Sequence, residues 1–88
     1  MEFVISSNLD IDKKSCKAII TTSLNKQVFI YKTKINSANE LCEFTADVMG
    51  KNHPSNGFLF SDIKREFSML DDDDITDIVV GVVMNLMS

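Results

Sequence analysis

Three groupings in this 88-residue chain hold side chains that could do chemistry. Asp71, Asp72, Asp73 and Asp74 stand in a row, with Asp77 close behind and Asp62 and Glu66 just upstream. Carboxylates at that density suit a divalent cation or a basic partner. A calcium loop does not fit them. Counted from Asp71 or Asp72, the position that demands glycine holds Thr76 or Asp77, and no glutamate follows at the twelfth position. Glu40, Glu43 and Asp47 recur at offsets of three and four, which gathers them on one helix face. Paired carboxylates can share acid and base work, but a solvated helix face explains these three without it. His53 is the single histidine, which excludes a histidine-rich metal site within one chain. Cys16 or Cys42 beside it would make a nucleophile with its base, yet nothing in their spacing brings them together. With glycine only at positions 50, 57 and 81, no phosphate-cradling loop exists. The expectation is a protein that is not an enzyme, with no catalytic residue, cofactor or metal ligand.

The elements that must position these groups follow from periodicity. "EFVISS" alternates, with Phe3 and Ile5 on one side, and "CKAIITTSLNKQVFIYKTKI" is rich in β-branched and aromatic residues. This second stretch reads as a hairpin turning at Asn25 and Lys26. That turn would set Thr22 opposite Phe29, Ile20 opposite Tyr31, Ala18 opposite Thr33 and Cys16 opposite Ile35 on one apolar face. Lys17, Ile19, Thr21 and Ser23 would share the solvent face with Val28, Ile30, Lys32 and Lys34, and a one-residue slip would exchange the two faces. A helix is expected after "SANE", where Ser37 and Glu40 have capping-box spacing, and Gly50 stops it. "KNHPSNG" is a loop, broken by Pro54 and Gly57. Ser61 then caps a short helix with Ile63, Phe67 and Leu70 in a stripe, and Phe58 and Phe60 staple it to the core.

The aspartate run is first of all a helix start, because carboxylates there accept free amides and complement the helix dipole. Asp73 or Asp74 is the expected cap of a helix from Ile75 onward. Ile75, Ile78, Val79, Val82, Val83 and Leu86 form its core stripe, which leaves Val80, Met84 and Met87 as a second apolar strip. A buried strand, "IVVGVVM", is the rival, since valine favours strands and Gly81 weakens a helix by about 1 kcal/mol relative to alanine. A membrane span needs about 20 apolar residues, more than this stretch supplies, and Asp77 and Asn85 interrupt it. No membrane association is expected. Burying Val80, Met84 and Met87 against a second copy would contribute roughly 1.5 to 3 kcal/mol each before association costs, so these three are the expected homodimer interface.

Composition bounds the whole. The chain is 44% apolar and 25% charged, ordinary for a globular protein. Its length suits one small α+β domain over residues 1–88: a three-stranded antiparallel sheet (β-β-β) followed by two or three helices packed on one face. The opening "MEFVISSNLDID" lacks the basic start and apolar run of a signal peptide, so a cytoplasmic setting is expected, with Cys16 and Cys42 as buried free thiols. The net charge of −4 hides a division. Residues 1–36 hold six lysines against three carboxylates, whereas residues 37–88 hold three cations against ten carboxylates. Binding is therefore the expected function: an acidic protein-interaction module, of inhibitor or regulator type, meeting a basic protein surface through Asp62, Glu66, Asp71, Asp72, Asp73, Asp74 and Asp77. One alternative is a nucleic-acid-binding regulator that uses Lys13, Lys14, Lys17, Lys32 and Lys34 on the outer hairpin face. Another is a purely structural homodimer or subunit.

Overall fold

A computed structural model of the chain describes residues 2–10, 12–23, 25–32, 40, 44–45, 47–48, 50, 53 and 57–87. Among them, a three-stranded antiparallel sheet precedes two helices, an α+β arrangement. The strands β1 (Phe3–Asp10), β2 (Ser15–Thr22) and β3 (Lys26–Lys32) lie in sequence order, and the helices are α1 (Phe58–Glu66) and α2 (Asp72–Met87).

Alternation along each strand sorts its side chains into two faces. Cys16, Ala18 and Ile20 of β2 and Phe29 of β3 are buried, while Val4, Lys17, Val28, Ile30 and Lys32 point to solvent. The hairpin turns earlier than its sequence suggests. Thr22 donates its amide to the Asn25 carbonyl at 2.8 Å, and its hydroxyl accepts the Asn25 amide at 3.1 Å. Cys16 consequently pairs with Tyr31 and Ala18 with Phe29, so each β2 residue meets a partner four positions nearer the turn than expected. An even shift conserves the faces. This is why the predicted inner face survives the wrong turn. The side chain of Asn25 prefers a local bond to the Lys26 amide, at 2.8 Å, and Lys26 enters β3 instead of turning.

The first loop is equally local in its logic. Asp10 accepts the Lys13 amide at 3.0 Å, and Lys14 adopts a left-handed backbone with φ of 51° before β2 begins. Glu40, Phe44, Thr45, Asp47 and Val48 have helical backbone, and Gly50 takes φ of 75°, as a residue ending a helix often does. The expected cap at Ser37 lies outside the described residues, as do Cys42, Glu43, Lys34 and Pro54. Gly57 is required by space: a Cβ there would overlap the Val48 carbonyl.

Helix α1 starts at Phe58 after an extended Gly57, so Ser61 lies within it and does not cap it. Phe60 is buried, whereas Phe58 keeps 37% of its surface and packs edge-on to Tyr31 with ring centroids 4.8 Å apart. Lys64 and Arg65 complete its last turn, where cations complement the helix dipole. Helix α2 settles the question between helix and strand in favour of the helix. Its start differs from expectation, for Asp71 is the cap: its carboxylate accepts the Asp74 amide at 2.8 Å, and its carbonyl accepts the Ile75 amide at 3.1 Å. Ile75, Ile78, Val79, Val82, Val83 and Leu86 are all buried, as their spacing predicts.

Helix α2 packs on β1. The Ser7 hydroxyl donates to the Val82 carbonyl at 3.0 Å, and Ile5 lies so close to Gly81 that a Cβ there would press on its Cδ1. Helix α1 contacts α2 and reaches β3 through Tyr31, whose hydroxyl donates to Asp62 at 2.6 Å. The resulting core draws on all three strands, both helices and Val48.

Candidate functional site

The residues expected to form one acidic face divide by what they already do. Asp62 accepts from Tyr31 and from Arg65 Nη2, the latter at 3.0 Å, and Arg65 Nε lies 3.8 Å from Glu66. Asp72 pairs with Lys64 at 3.0 Å, in the open. Exposed pairs of this kind contribute little to stability, about 0 to 1 kcal/mol, but they do neutralise the local charge. Asp71 is spent on the cap, and Asp74 is half-buried. Asp73 and Asp77 remain, both exposed, their carboxylates making no hydrogen bond or ion pair to a described residue.

These two carboxylates share a helix face with the apolar strip. From Asp73, the offsets to Asp77, Val80, Met84 and Met87 are 4, 7, 11 and 14, all close to whole turns of 3.6 residues. Met84 is 66% exposed and Met87 59%, while Val80 is half-buried. The acidic patch and the apolar strip, separate surfaces on a first reading of the sequence, are thus one ridge along the outside of α2. Its first two turns are acid and its last two are oil. No basic residue occupies the last turn, so the carbonyl end of the helix has no compensating cation within that turn.

The outer sheet face is the other open surface. Val4 is 70% exposed, Ile30 65% and Val28 45%, with half-buried Ile19 between them. Strand register orders this face in rows. Asp10, Ser15 and Lys32 stand at one end, followed by Asn8, Lys17 and Ile30, then Ser6, Ile19 and Val28, and finally Val4, Thr21 and Lys26. A shallow cavity of about 310 Å³ at the basic end is lined by Asn8, Asp10, Lys13, Ser15, Lys17 and Ile30. Lys13, Lys14, Lys17 and Lys32 are exposed, and Lys17 and Lys32 stand on this face as expected. The apolar patch among these lysines is Ile19, Val28 and Ile30, which alternation places on the solvent face as expected.

The nucleophile candidate that the structure describes is unsuited to attack. Cys16 is free and 2% exposed, and burial pushes its thiol up, opposite to the shift that activates a cysteine. Among the described residues no group of three or more His, Cys, Asp or Glu side chains could hold a metal ion, and no helix is long and apolar enough to cross a membrane. The chain matches no protein-family model, no curated protein sequence and no solved structure.

Proposed function

We propose that the chain is a non-enzymatic protein-interaction module whose binding surface is the outer ridge of α2. The observation that carries this reading is the union of exposed Asp73, Asp77, Met84 and Met87 with half-buried Val80 on one helical face. An apolar strip supplies the buried area that holds a complex, and flanking charge steers encounter and selects the partner. The partner it suits offers an apolar groove with cations at one end, a helix-in-groove mode of recognition. By occupying such a groove the module acts as an inhibitor or regulator. In this proposal both helices pack on one face of the sheet. The α2 contacts to Ile5 and Ser7 and the α1 contacts to Tyr31 support that packing, which turns the ridge outward. A reducing, cytoplasmic setting fits the free thiol of Cys16.

The test uses a short amphipathic peptide of leucine and lysine, dye-labelled and followed by fluorescence anisotropy. Asp73→Lys with Asp77→Lys should weaken binding about ten-fold or more, since each exposed pair contributes about 0.2 to 1 kcal/mol and reversal turns attraction into repulsion. Met84→Glu should weaken it comparably, and Lys17→Gln with Lys32→Gln should not. An affinity indifferent to the ridge contradicts the proposal.

The second reading, nucleic-acid binding, is favoured by the grouping of Lys13, Lys17 and Lys32 at one end of the sheet. Asp10 within that group and the apolar residues beside it weigh against a phosphate track. Duplex and single-stranded probes at low salt decide it: no binding removes this reading.

A further inference from the structure

The ridge of α2 and the outer face of the sheet are each graded in the same sense, and the grades are complementary. The ridge runs from Asp73 and Asp77 to Val80, Met84 and Met87. The sheet face runs from Lys32 and Lys17, with half-buried Asp10 beside them, through Ile30, Ile19 and Val28 to Val4 and Lys26. We propose that the ridge of one copy docks along the outer sheet face of a second copy, head to tail. This rests on the reading of the ridge as a docking surface and names a partner for it.

Three comparisons choose this pairing over others. The first is length. From Asp73 to Met87 the ridge spans about 21 Å at a rise of about 1.5 Å per residue. From Lys26 to Lys32 the seven-residue strand β3 spans about 20 Å at a rise of about 3.3 Å per residue, so the helix can lie along the strands. The second is charge. In that one orientation Asp73 and Asp77 meet Lys17 and Lys32, and Lys26, at the far end of the sheet, meets the helix end that has no cation in its last turn. Reversing the helix leaves its carboxylates only Lys26, beside Val4, and sets its methionines over Lys17 and Lys32. The third is the symmetric alternative, α2 against α2. Every charged residue on the ridge is a carboxylate, so an antiparallel pair lays each copy's Asp77 near the other's Met84 with no cation to meet it, and desolvation goes uncompensated. The sheet supplies what a second ridge lacks.

A head-to-tail contact uses different surfaces on the two copies, so each complex keeps one free ridge and one free sheet face. Such contacts extend to chains or close to rings. Ile30→Glu and Met84→Glu, both at exposed positions, each disable one of the two surfaces. Sedimentation velocity at low salt should show the wild-type mass growing with concentration beyond two copies and shrinking as salt rises. Each variant alone should sediment as a monomer with unchanged circular dichroism. Mixed in equal amounts, they should form a 1:1 complex that does not grow, because one intact ridge meets one intact sheet. Lys17→Glu with Lys32→Glu should behave like Ile30→Glu, which guards against a folding artefact at Ile30. A monomeric wild type, or self-association that survives Ile30→Glu, overturns the proposal. The leucine-lysine peptide separates the two failures. If Ile30→Glu still binds it through the ridge while the wild type is monomeric, only the pairing of copies is wrong; if it binds nothing, the ridge reading falls as well.

Discussion

Tyr31 ties the sheet to α1 through a ring contact with Phe58 and a hydrogen bond to Asp62. Both features bear on its acidity. Burial is the larger cause that pushes the hydroxyl well above its ordinary value of 10.0, and the Asp62 carboxylate adds to it, since that acceptor needs the proton and repels a phenolate. Folding therefore raises this pKa. The stability it contributes is fully present below about pH 10 and is lost as pH climbs toward the folded value. With one tyrosine and no tryptophan in the chain, ultraviolet absorbance reports this group alone. The native chain should form tyrosinate at distinctly higher pH than the chain unfolded in urea. Asp62→Asn should recover part of the difference, with burial retaining the rest. Coincident titrations would contradict the contact. No sequence pattern announces this pair, because Tyr31 and Asp62 stand 31 residues apart and meet only when α1 is seated. Asp62 was legible as an acidic surface residue; its role inside the fold was not.

At the scale of elements, periodicity was informative and punctuation was not. The core stripe of α2 could be read directly, since six apolar residues recur at helical offsets and all six are buried. Its beginning could not, because four consecutive aspartates are equally good caps and the first apolar residue, Ile75, enters only after a full polar turn. What selects Asp71 is the turn before it, where the Leu70 amide donates to the Phe67 carbonyl at 3.0 Å and both side chains are buried. Asp71→Ala should therefore lower stability in a urea titration by about 1 kcal/mol. Asp73→Asn should lower it by only about 0.3 kcal/mol, the lower end for a charge near a helix start. Equal losses would place the cap elsewhere. The hairpin teaches the same lesson, for its faces followed from alternation while its turn depended on Thr22 and Asn25 binding each other.

For the molecule as a whole, the charge division read from the sequence acquires a geometry. The basic half is the sheet, whose outer face holds lysines around Val28 and Ile30, and the acidic half includes α2, whose outer ridge holds aspartates before methionines. Spacing alone would have joined Asp73 and Asp77 to Val80, Met84 and Met87. Reading acid and oil as separate sites concealed that they share one helical face. Which of the carboxylates stay unengaged was legible only in part: Arg65 engages Asp62 and Glu66 within α1, whereas Lys64 reaches Asp72 only through the folded positions of α1 and α2. The most direct test of the ridge as the binding surface is nuclear magnetic resonance of the isotope-labelled chain during titration with the leucine-lysine peptide. At a dilution where the chain is monomeric, the account predicts amide shifts concentrated on Asp73, Asp77, Val80, Met84 and Met87, with Val4, Ile19, Val28 and Ile30 unmoved. Shifts concentrated on the sheet, with α2 silent, would contradict it.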